Sequence, residues 1–131
     1  MHNDPAIHIM RSQLARARGL GSSKSGVSHW IAQRVSAIAL LPLSLYFVIS
    51  VILFGHATRA QVAAYLGQPW NTVLFLCLIG ATFYHLSLGL QVVIEDYLHN
   101  EVGKAATLLL AKAVVWFCAL ASAVSILKLA F

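Results

Sequence analysis

Residues 30–54 read WIAQRVSAIALLPLSLYFVISVILF, and from Val35 to Phe54 no residue is charged. About 20 apolar residues wound as a helix cross the ~30 Å hydrocarbon core of a bilayer. This stretch therefore predicts a transmembrane helix. Trp30 and Arg34 stand at its start, where an indole and a snorkelling cation sit among head groups. Pro42 falls inside the run and should kink the helix or leave one carbonyl free. Two more apolar runs follow, which gives expected spans over about 30–54, 71–95 and 105–127. Gly55 to Trp70 is a connecting loop, with Gly67 and Pro69 as breakers and a short surface helix over 60–66. A second loop holds His99, Asn100, Glu101 and Gly103. The expected fold is all-α, an integral membrane bundle of three transmembrane helices.

Composition supports this. The chain of 131 residues has room for one domain. It is 60% hydrophobic and 10% charged, where soluble domains run about 45–50% and about 25%. The formal net charge of +5 is unevenly placed, with Arg11, Arg16, Arg18 and Lys24 all within the first 24 residues. Aromatic residues that could stack on bases are absent from that stretch, so nucleic-acid binding is excluded. Basic residues keep their end of a membrane protein in the cytoplasm. Here positions 11, 16, 18, 24, 34 and 104 fall on one side and Arg59 alone in the 55–70 loop. The N-terminus is expected inside and the C-terminus outside. Residues 1–28 form a polar basic cytoplasmic segment, too poor in apolar surface to order itself unless a partner holds it. A short amphipathic helix over 10–18 is a weaker expectation. Residues 29–131 form the membrane domain. No cleavable signal peptide is expected, since the first long apolar run starts near residue 35. Cys77 and Cys118 lie in apolar runs without C-x-x-C spacing and read as packing residues. Lys112 lies near enough to an interface to snorkel.

His85 is the residue that carries chemistry. It stands about fourteen residues into the second span and is the only histidine within any span. Ionisable side chains at such depth face a partner or a functional cavity. One reading is a neutral imidazole bonded to a neighbouring helix. The other is an axial ligand of a b-type haem held between helices. At 100° per residue, Gly89 falls about 40° and Asp96 about 20° from His85 on the helix wheel. That face offers a ligand, a small residue and an acid. One histidine supplies one axial ligand, so a six-coordinate haem needs another from a second chain. Tyr97, about 18 Å along the axis from His85, can donate to a quinone carbonyl, and Asp96 beside it can relay the proton. Each alone is also an ordinary helix end. Arg34 is either a snorkelling topology residue or a bidentate partner for a haem propionate, with Ser28 and His29 close by.

Two segments carry a resemblance: G-V-S-H-W-I-A-Q-R-V-S-A over 26–37, and H-x3-G-x-Q-V-x3-D-Y over 85–97. They resemble the hydrophobic membrane-anchor (D-type) subunits of succinate dehydrogenase, respiratory complex II, over roughly residues 26–131. The second segment is the more specific. The resemblance implies a subunit that packs with a sister anchor subunit (cytochrome b, C-type) and anchors an iron–sulfur subunit and a flavoprotein subunit. It implies that His85 ligates haem b opposite a ligand of the sister. Tyr97 would contact ubiquinone, Asp96 would support that site, and Arg34 would approach a haem propionate. Some members place a histidine where Ser28 stands here, with His29 next along. The chain holds no dehydrogenase site of its own, having neither a nucleotide-binding glycine loop nor Fe–S cysteine spacing. A bacterial inner membrane is expected ahead of a mitochondrial one. Two rivals remain: an anchor of another quinone-linked oxidoreductase such as fumarate reductase, and a non-redox membrane scaffold.

Overall fold

The computed structural model describes Ala17 and residues 26–131. The expectations for the N-terminal basic segment, its mobility and a helix over 10–18, fall outside the described residues apart from Ala17. Among the described residues four helices form: α1 (Gly26–Phe54), α2 (Arg59–Leu66), α3 (Pro69–Tyr97) and α4 (Glu101–Ala130). Of these, α1, α3 and α4 are long and apolar enough to cross a membrane. They hold 29, 29 and 30 residues, about 44 Å each at 1.5 Å per residue. That exceeds the ~30 Å hydrocarbon thickness, so their ends reach the head groups.

Local chemistry sets where each helix stops. Thr58 and Gln61 form a capping box that starts α2, with Thr58 N donating to Gln61 Oε1 at 2.9 Å. Pro69 opens α3 at a position where its missing N–H costs no bond. The Asn100 side chain accepts from the backbone N–H groups of Val102 and Gly103 and so starts α4 at Glu101. The loop expected to contain Glu101 and Gly103 therefore shrinks to residues 98–100, because the asparagine cap draws both into the helix. Pro42 does not end α1, which runs on to Phe54. Its missing N–H leaves the Ile38 carbonyl without a ladder donor.

α3 is the central helix, packed against α1 and α4 and touched by α2. Its α4-facing side puts Ser87, Leu90, Gln91 and Ile94 against Leu108, Ala111, Lys112 and Val115. Its α1-facing side carries His85 and Gly89. On the wheel the two sides lie roughly 180° apart. Among the described apolar residues, only Leu66, Ile94, Val115 and Ala119 are buried, whereas Ile52, Leu109 and Phe117 are each 73% exposed. Apolar surface on this scale belongs against lipid or another membrane helix. Cys77 and Cys118 are exposed free thiols. They lie on those outward faces, where lipid or another membrane helix would pack on them.

α2 is pinned across one end of the bundle. Tyr46 donates to Asn71 Oδ1 at 2.8 Å, and its hydroxyl lies 2.6 Å from that of Tyr65. Asn71 Nδ2 in turn donates to the Tyr65 carbonyl at 2.8 Å. Thr72 Oγ1 also donates to the Leu66 carbonyl. Phe75 packs edge-on against Tyr46, Phe47 and Tyr65. Asn71→Ala removes one donor and one acceptor from this network, leaving partners unpaired at about 1–3 kcal/mol. We expect a loss of that order, read as a lower denaturation midpoint in detergent, with the bundle still folded.

Candidate functional site

The α1–α3 seam is antiparallel. Going inward along α1, His29, Gln33 and Ser36 meet successively lower positions of α3. His29 shares a cleft of about 510 Å³ with Gln91 and Glu95. A Cβ on Gly89 would stand 3.8 Å from Gln33 Nε2. Ser36 Oγ lies 2.9 Å from His85 Nδ1. Positions 29, 33 and 36 recur at helical spacing on one stripe, so the sequence delivers three polar side chains to the same seam. Further along, Tyr46 meets Phe75 in the same register.

Ser36 is buried at 6% exposure and His85 is half-buried. The Ser36 hydroxyl also lies 3.1 Å from the Gln33 carbonyl, which can only accept. The bond to His85 has Nδ1–H donating to Ser36 Oγ in one tautomer and the hydroxyl donating to Nδ1 in the other. In the first, a neutral imidazole carries its lone pair on Nε2. Metal-ligating histidines use this arrangement, with one ring nitrogen fixed by an outer partner and the other presented to the metal. Ser36 was not singled out in the sequence. Its signal was there, as a polar residue on the His29/Gln33 stripe, but only the antiparallel register shows which residue it faces.

Two buried polar atoms of the same stripe lack a hydrogen-bond partner, His29 Nε2 and Gln33 Oε1. Buried unpaired groups cost about 1–3 kcal/mol each. Their position calls for a polar ligand, water or partner group in the seam. Gly89, held inside a helix where glycine costs about 0.5–1 kcal/mol relative to alanine, lets the Gln33 side chain lie against α3, where a Cβ would make an ordinary contact. The His85 imidazole and the two orphaned polar atoms are the groups along this seam that a polar ligand could engage. Among the described residues, no three His, Cys, Asp or Glu side chains gather to hold a bare ion.

The other candidate residues stand apart from this seam. Arg34 is exposed, its guanidinium 5.5 Å from the centre of the Trp30 ring. It falls about 160° round α1 from Ser36 and faces away from α3. By the pairing of Gln33 with Gly89, it lies level with about Leu88, roughly 12 Å along the axis from Asp96. Asp96 and Tyr97 end α3 and are exposed, Tyr97 at 79%. Neither makes a side-chain hydrogen bond within the described residues. Asp96 stays near the His85 face, and Tyr97 points about 100° further round. Glu95 next to them is held by Gln91 Nε2 at 2.9 Å.

Comparison with known proteins places the chain. Residues 8–125 match the model of the succinate dehydrogenase/fumarate reductase transmembrane subunit family. This match reaches back into the basic N-terminal stretch, beyond the region from residue 26 onward that the motifs indicated. The succinate dehydrogenase hydrophobic membrane anchor subunit of Rickettsia bellii is 35% identical over 88 residues, covering 67% of this chain and 70% of that one. Its counterpart in Paracoccus denitrificans is 33% identical over 90 residues, covering 69% and 70%. The succinate dehydrogenase membrane anchor subunit of Reclinomonas americana is 30% identical over 95 residues, covering 70% and 79%. No solved structure matches the chain.

Proposed function

The chain belongs to the succinate dehydrogenase/fumarate reductase transmembrane subunit family, and from that membership we propose that it is the haem b- and ubiquinone-binding anchor subunit of a succinate:quinone oxidoreductase. Its partners in this reading are a sister cytochrome b anchor subunit, an iron–sulfur subunit and a flavoprotein subunit. It spans a bacterial inner membrane with its N-terminus in the cytoplasm. The observation that carries the reading is the His85 imidazole on the α1–α3 seam, with Nδ1 bonded to Ser36 Oγ.

In this reading His85 would hold the iron of haem b through its imidazole, and the sister subunit would supply a further ligand. Bound there, haem b supplies a one-electron store between the iron–sulfur partner and the quinone. His29, with its unpaired buried Nε2, serves the polar edge of the group. Arg34 is the guanidinium for a propionate and must leave the Trp30 ring to meet it. An outward-facing cation within an apolar helix suits an acid from outside this chain.

Quinone reduction takes two electrons and two protons. Tyr97 donates from its hydroxyl to the quinone carbonyl oxygen as electron density builds there, and Asp96 resupplies the proton from the aqueous side. Their exposure at the end of α3 suits a lipid-soluble substrate arriving in the membrane plane.

Purification of the chain in mild detergent tests the assembly. It is expected to bring flavin- and Fe–S-bearing partners and succinate-dependent dye reduction. A chain that purifies without them is a scaffold or belongs to another complex. Gly89 tests the haem face. A Cβ at Gly89 makes only an ordinary contact, so Gly89→Ala should keep haem. Gly89→Leu should lower haem per flavin severalfold while the complex still assembles.

A further inference from the structure

We propose that Ser36 is a positioning residue that sets the proton of His85 on Nδ1 and so tunes the iron. This rests on the reading of His85 as a haem ligand given above. Ser36 comes from a different helix than the ligand, forty-nine positions away in sequence. Among the described residues it is one of three buried polar ones, with Ser50 and Thr72. Its hydroxyl also lies 3.1 Å from the Gln33 carbonyl, which can only accept. With the hydroxyl turned to that carbonyl, the imidazole 2.9 Å away donates from Nδ1, and this is the tautomer the proposal assigns. The same bond fixes the ring's rotation, since both of its ends are on helices packed along the seam. An imidazole that gives up Nδ1–H density to an acceptor becomes a stronger donor at Nε2. A more basic axial ligand favours the oxidised iron and lowers the reduction potential.

The chain Gln33 carbonyl–Ser36–His85 thus joins the backbone of α1 to the ligand on α3. α1 passes Arg34 within the same turn, on its outer face. Any partner that shifts α1 along α3 alters the ligand's basicity, so the haem potential depends on how α1 packs.

The test uses the whole complex, purified with Ser36→Ala, Ser36→Thr or neither. Redox titration of haem b and the low-spin ferric EPR spectrum are read, with His85→Ala alongside. Ser36→Ala is expected to retain haem with a raised midpoint potential and shifted EPR g-values. Ser36→Thr, which keeps the hydroxyl, should restore both toward wild type. A Ser36→Ala complex with wild-type potential and g-values overturns the proposal while leaving His85 as ligand. A raised potential in both Ser36→Ala and Ser36→Thr also overturns it, because packing and not the hydroxyl would be responsible. Haem ligation unchanged in His85→Ala removes the premise and the proposal together.

Discussion

Tyr97→Phe is expected to lower succinate–ubiquinone turnover by about 10²-fold while leaving succinate-driven reduction of a soluble dye unchanged. Positioned general acids contribute about 10²–10⁴-fold to proton-coupled steps, and Phe removes only the donating oxygen. Tyr97 is 79% exposed, and its hydroxyl bonds to nothing among the described residues. Loss of the hydroxyl therefore costs the fold nothing measurable, which separates a chemical effect from a structural one. Dye reduction reports the flavin and Fe–S partners without the quinone. Quinone turnover at the wild-type rate in the Tyr97→Phe complex would remove Tyr97 from the site. Asp96→Asn, which keeps shape but not charge, should slow turnover less, since water at the membrane surface can replace a proton relay.

His85→Ala carries the second large effect. Loss of a residue that merely orients a metal ligand costs about 10–100-fold in metal affinity, so loss of the ligand itself should exceed about 100-fold. Haem per flavin, measured as the pyridine haemochrome, is expected to collapse. The protein side of the change is mild. Ser36 keeps its bond to the Gln33 carbonyl, and the seam loses the imidazole's packing. Helix content and binding of the soluble partners should survive. A His85→Ala complex with full haem would return His85 to the rank of a packing histidine.

The spans were legible in the sequence because uncharged apolar runs of ~20 residues have few alternative uses. The short helix over 60–66 was legible too, and α2 extends it by one residue, to Arg59. The second loop was not, because a capping asparagine acts through backbone N–H groups that no hydropathy window registers. His85 stood out as an ionisable group at membrane depth, and its face with Gly89 and Asp96 follows from helix periodicity alone. Its partner did not follow. Ser36 lies in a different helix, and only the relative slide of two helices decides whether position 85 meets 33, 36 or 40. Rotation sets Arg34 on the outer face of α1, beside Trp30. Helix order is written in hydropathy, whereas slide and rotation come from packing of side chains such as Gln33 against Gly89.

The central claim is that His85 supplies one of two imidazoles to a haem shared with another chain. Near-infrared magnetic circular dichroism of the oxidised complex reads axial ligands directly from the porphyrin-to-iron charge-transfer band. The account predicts a bis-imidazole signature in the wild-type complex and its loss in His85→Ala. A bis-imidazole signature that persists in His85→Ala, or a wild-type haem with any other ligand pair, would contradict it.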